Sequence, residues 1–140
     1  MIWGIQWDET LKWLIDTGEK TYAEIVPNST SWGNYFDNSF TYYTDTSKST
    51  ATKSSGTGTR IPSGAYEGAN ANNVYDLAGN VFDWILDSGD SDGSEDGIYR
   101  CSRGGYYSNA YQEPAAGRCY SMHPYQSSSG DGLRCSLFIK

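Results

Sequence analysis

A 140-residue chain in which only 37% of residues are hydrophobic must build its interior from rings. Twelve Tyr, five Trp and four Phe do that work, since one large ring buries the area that several small aliphatics otherwise would. Disordered chains are poor in such residues, so this one folds. Sixteen Gly, with many Ser, Thr and Asn, favour turns over helix. The length suits a single domain spanning 1–140. The pattern predicts an α+β domain with few helices, short antiparallel strands and much irregular backbone.

Ten Lys and Arg stand against seventeen Asp and Glu, a net charge of -7. That balance repels phosphate backbones and anionic headgroups, so neither nucleic acid nor a membrane surface is the expected partner. No apolar run approaches the roughly 20 residues of a membrane-spanning helix. The N-terminal stretch MIWGIQWDETLKWL carries charges and has no basic start, and it is not read as a signal peptide. Cys101, Cys119 and Cys135 are an odd number without a C-x-x-C pair, and His123 is the sole histidine. At least one cysteine stays unpaired, no zinc site is complete, and the expectation is small buried hydrophobes in a reduced environment.

Trp3, Trp7, Leu11, Leu14 and Ile15 recur at three- and four-residue steps, which predicts a helix from about Ile5 to Asp16, stopped by Gly18. Asp8 and Glu9 lie toward its positive end. Tyr22–Val26 and Phe40–Thr44 read as short strands, and Thr44 to Thr59 as a polar surface excursion. Val81, Trp84 and Ile85 are inward candidates, Asp87 to Gly97 an acidic solvated turn, Tyr99–Arg103 a strand, and Gly132–Ile139 a closing strand. Gly104-Gly105 marks a bulge or a close backbone approach.

Four segments in order resemble the formylglycine-generating enzyme (sulfatase-modifying factor) family of the C-type lectin fold: I-Q-W-D-E-T-L-K-W-L from Ile5, Y-D-L-A-G-N-V-F-D-W from Tyr75, R-G-G-Y from Arg103 and G-L-R-C from Gly132. The resemblance spans Ile5 to the end of the chain and implies a C-type lectin-like domain. It lacks the strands the family places before the helix. The family's copper-binding cysteine pair falls at Asn109 and Pro114, and neither supplies the sulfur that Cu(I) needs, so no copper is expected. The resemblance implies a calcium site from Asp76 and Asp83 side chains with Gly79 and Val81 carbonyls. The alternative is that Asp76 caps its turn while Asp83 faces solvent.

Between the last two motifs, residues 106–131 hold five tyrosines among Ser, Asn, Gln and Glu, the palette of antibody-like binding surfaces. The expected ligand contacts are Tyr106, Tyr107, Asn109, Tyr111, Glu113, Ser121, His123, Tyr125 and Gln126. Tyr120 is a core candidate, and Arg103, Arg118 and Arg134 are assigned to the framework. The placement is similar to that of the variable proteins of diversity-generating retroelements in bacteria and phages. The leading reading is therefore a non-catalytic module for a protein or glycan ligand, and the alternative is a sulfatase-modifying-type oxidoreductase or its degenerate relative. Without the family's N-terminal strands an edge or apolar face is exposed, which predicts a homodimer or a larger parent chain.

Overall fold

A computed structural model describes residues 1–89, 99–110, 113–117, 120–123, 125–126 and 128–135, with Tyr120 described by its backbone alone. The first helix, α1, runs Gly4–Asp16, and Gly18 ends it with φ +75°. Its opening N–H groups find partners: Trp3 donates to Gln6 Oε1 and Gly4 to Asp87 Oδ1, each at 2.9 Å. The Asp87 carboxylate thus sits at the positive end of the helix. Trp7, Leu11 and Leu14 form the buried stripe. Trp3 does not join it, because it precedes the first turn and remains 54% exposed.

The expected strand at Tyr22–Val26 is instead a helical turn, α2 (Tyr22–Ile25). Thr21 and Glu24 decide this: the Glu24 N–H donates to Thr21 Oγ1 and the Thr21 N–H to Glu24 Oε2, a reciprocal cap that outweighs local strand preference. The expected excursion after Thr44 also contains regular structure. Strand β1 (Phe40–Tyr43) pairs antiparallel with β2 (Thr50–Lys53), Phe40 opposite Lys53. Lys53 is buried, its ammonium donating to the carbonyls of Tyr35 at 2.6 Å and Asn38 at 2.8 Å. Burial lowers its pKa.

A second small hairpin joins β3 (Asn70–Ala71) and β4 (Val74–Tyr75) through Asn72 and Asn73, both at positive φ. The main sheet has the order β7-β6-β5-β8, from β5 (Phe82–Ser88), β6 (Arg100–Arg103), β7 (Tyr120–Met122) and β8 (Asp131–Leu133). Three strands alternate direction as expected, but β8 runs parallel to β5. Residues 136–139 of the expected closing strand and 90–97 of the acidic turn lie outside the described residues.

One face of the sheet packs on α1, so that Ile85 and Cys101 join Trp7, Leu14, Ile25, Tyr35 and Leu77 in one core. Val81 and Trp84 are half-buried. The expectation of reduced cysteines is corrected here: Cys101 is disulfide-bonded, while Cys135 is free and exposed.

A candidate ligand-binding surface

The C-terminal segment is launched by two glycines. Gly104 and Gly105 both take positive φ, +92° and +73°. A side chain at Gly104 would meet the Trp7 ring at 3.1 Å, and one at Gly105 would meet the Glu113 carbonyl at 2.4 Å. Glycine is required there both for its backbone angles and for the close approach.

The middle of the segment is framework. Pro114 and Ala115 are buried. The Trp7 indole N–H donates to the Ala115 carbonyl at 3.0 Å, the Ala115 N–H to Ser29 Oγ at 2.9 Å, and the Ala116 N–H to the Ile25 carbonyl at 3.1 Å. Nearby, the buried Tyr35 hydroxyl donates to the Gly104 carbonyl at 2.9 Å, and burial raises that phenol's pKa far above its ordinary value. The expected ligand segment is therefore divided: its centre is anchored in the core and its two ends are turned outward.

The first outward turn is 106–110. Asn109 closes it, its Oδ1 accepting from the Tyr106 N–H at 2.9 Å. The turn is pinned on both sides, because the Tyr107 N–H donates to the Asn80 carbonyl and the Phe36 N–H to the Asn109 carbonyl. Tyr106 is half-buried and stacks on Phe82 at 5.0 Å. Tyr107 meets it edge-on and shares a hydrogen bond at 3.3 Å with Ser129 Oγ. Arg60, from a remote loop, donates to the Ser129 carbonyl at 3.2 Å.

The second outward turn follows β7. Register places Arg100 opposite Met122, so Tyr99 falls opposite His123, with ring centroids 4.0 Å apart. His123 stacks in turn on Tyr125 at 4.6 Å, and Tyr125 is 78% exposed. His123 and Gln126 bond reciprocally, backbone to side chain and backbone to backbone. Ser121 lies on β7, against Gly89. Of the predicted contacts, then, Tyr106, Tyr107 and Asn109 form one cluster, and Ser121, His123, Tyr125 and Gln126 another. Glu113 is half-buried, with Oε2 unpartnered and its carboxyl pushed up by burial. Tyr111, Arg118 and Cys119 lie outside the described residues.

Sequence reasoning missed Tyr99, Arg60 and Phe36. The first is brought in by strand register and the other two by loops far away in the chain, so no local pattern marks them. Asn109 and Pro114, the positions of the expected cysteine pair, are used structurally, one capping a turn and the other buried.

The residues of the calcium expectation line a different cavity, of about 300 Å³, with Asp76, Val81 and Asp83 on its wall beside Arg134. Gly79 is outside that wall and bridges to Asn34. Arg134 Nη2 donates to Asp83 Oδ2 at 3.0 Å and to the carbonyls of Tyr75 and Asp76 at 3.0 and 3.1 Å. Asp76 Oδ2 accepts from Ser63 Oγ and the Gly64 N–H, and its Oδ1 alone lacks a partner. Asp83 does not face solvent. These groups do not fit calcium, which takes about six to eight oxygens, because the cation facing Asp83 is already the guanidinium. Burial raises the Asp83 carboxyl and Arg134 pulls it back.

Replacing Arg134 with Met leaves a buried carboxylate unpaired and is expected to cost about 3 kcal/mol at pH 7. Without Arg134 the folded-state pKa of Asp83 rises further above its unfolded value, so the deficit shrinks as the pH falls through the variant's raised folded-state pKa toward that of the wild type. Thermal melts of both proteins from pH 7 to pH 4, with and without calcium, check this. The wild type is expected to ignore calcium.

The solved structure named Treponema denticola variable protein 1 matches with a TM-score of 0.50 and 22% identity, over 81% of this chain and 37% of that one. The two share a fold, and this chain spans little more than a third of its neighbour's length. No curated protein matches the chain. The family model described as the sulfatase-modifying factor enzyme 1-like domain covers residues 10–137, which takes in the second half of α1, the three sheets described above and both outward turns. The chain therefore belongs to the sulfatase-modifying factor enzyme 1-like domain family.

Proposed function

We propose that this domain is a non-catalytic ligand-binding module that grips a protein or glycan through the two outward turns of its C-terminal segment. The observation that carries the reading is the division of that segment. Its centre is bonded into the core by Trp7, Ser29 and Ile25, while Tyr107, His123 and Tyr125 are displayed on turns closed by the side chains of Asn109 and Gln126, with the exposed Ser129 against the first of them. Rigid aromatic side chains beside small hydroxyls give contact area at low entropic cost. The sulfur-free positions Asn109 and Pro114 support a surface without the family's copper chemistry. The oxidoreductase alternative would need another redox group.

The name of the Treponema denticola neighbour supports a finer reading, in which residues 106–131 are the diversified segment of a retroelement variable protein in a bacterium or phage. A template repeat and a reverse transcriptase gene beside the locus are its signature.

The sheet face opposite α1 bears Trp84, Leu86 and Leu133 beside Met1, around a cavity of about 430 Å³. In this reading a second copy of the chain, or further chain of a larger parent, covers that face. Light scattering of the isolated domain is expected to show a dimer that Leu133→Lys dissociates; a monomer at every concentration removes the dimer.

Glycan-array and pulldown screens with the wild type and the Tyr107→Ala and Tyr125→Ala variants test the main proposal. Ligands are expected to be lost from both variants at unchanged melting temperature. Binding that both substitutions leave intact overturns it, and so does oxygen-dependent thiol oxidation by the domain.

A further inference from the structure

Arg60 lies outside the family motifs and outside residues 106–131, yet it stands against the first outward turn. Its side chain is exposed, and among the described residues one bond is made from it, Nη1 to the Ser129 carbonyl at 3.2 Å. Among the described residues no carboxylate lies within ion-pair distance of it. Arg103 and Arg134, by contrast, are paired with Asp8 and Asp83. A guanidinium carries five N–H donors in a planar fork, so most of this one faces water.

The backbone around Arg60 is held more firmly than an ordinary loop. The carbonyl of Thr59 accepts from Asn34 Nδ2 at 2.9 Å. Ile61 is bonded at both backbone groups by the Asn80 amide, each at 3.1 Å. Asn34 and Asn80 are both buried and bond one another at 3.1 Å. Gly58 presses on Ser108 so closely that a Cβ there would lie 2.5 Å from Ser108 Oγ. A buried amide pair thus presents an exposed cation in fixed register with Tyr107, whose hydroxyl meets the same Ser129. Bracing Ser129 uses one donor of the five and does not need such a presentation.

We propose that Arg60 is a ligand contact that takes the carboxylate of an acidic peptide segment, while Tyr107 lies along the same segment. The proposal rests on the ligand-binding reading above and names the chemistry that this surface selects. A planar fork matches a two-oxygen carboxylate. One guanidinium is a poor match for the higher charge of a phosphate, and the Tyr, Ser and Asn surroundings suit a peptide. The net charge of -7 gives no long-range attraction to an anion, so recognition comes from directed contact.

Panning a random displayed-peptide library against the wild type, Arg60→Gln, Arg60→Lys and Tyr107→Ala tests this. Wild-type binders are expected to be enriched in Asp and Glu and to bind Arg60→Gln about tenfold or more weaker, the value of a charge-assisted hydrogen bond. Arg60→Lys keeps the charge without the fork and is expected to fall between; it also serves if Arg60→Gln does not fold. Binders that depend on Tyr107 but show the same composition on wild type and Arg60→Gln overturn the role of Arg60 and leave the surface reading standing. Failure to select any Tyr107-dependent binder overturns both.

Discussion

A domain that buries loops must find donors for the loops' carbonyls, since an unpaired one costs as much as a lost hydrogen bond. Here the donors are aromatic. The indole of Trp7 reaches the Ala115 carbonyl and the phenol of Tyr35 reaches that of Gly104, both in the core. An aliphatic core could fill the same space but could not make these bonds. The aromatic richness of the chain is therefore a structural requirement first, and the irregular C-terminal segment depends on it.

The same arrangement separates framework from surface. Trp7 and Ser29 take up both backbone groups of the buried Ala115, and Ile25 takes up the N–H of Ala116. On either side, the turns close through the side chains of Asn109 and Gln126, which leaves Tyr125 exposed and Tyr107 and His123 half-buried at the surface. Asn34 and Asn80 extend the logic to the far side of the surface. Their buried amides tie the chain around Arg60 to the G-N turn of the family motif. Arg134 closes the other end by joining β8 to the residues before and within β5.

Much of this was legible in the sequence. The step of Trp7, Leu11 and Leu14 gave α1, the Gly pair gave the close approach, and Y-D-L-A-G-N-V-F-D-W gave the family. Tyr22–Val26 was misread because its side chains favour strands, although the cap residues Thr21 and Glu24 stood at the right spacing. β2 was hidden because T-A-T-K shows no apolar alternation, and the buried end of that strand is a lysine solvated by carbonyls of a distant loop. The division of the C-terminal segment was illegible for a different reason. Nothing local in E-P-A-A-G says that Ala115 is core; that depends on an indole 108 positions earlier. Likewise Tyr99 enters the surface only once β6 and β7 are in register.

Amide hydrogen exchange on the ligand-free domain tests the division most directly, because it reads local stability residue by residue. The account predicts slow exchange at Asn34, Gly79, Asn80, Ala115 and Ala116, and fast exchange at Ser108, Tyr125 and Ser129. Protection of the second group equal to that of the first would place both turns inside the cooperative core and contradict the claim that they are a displayed surface.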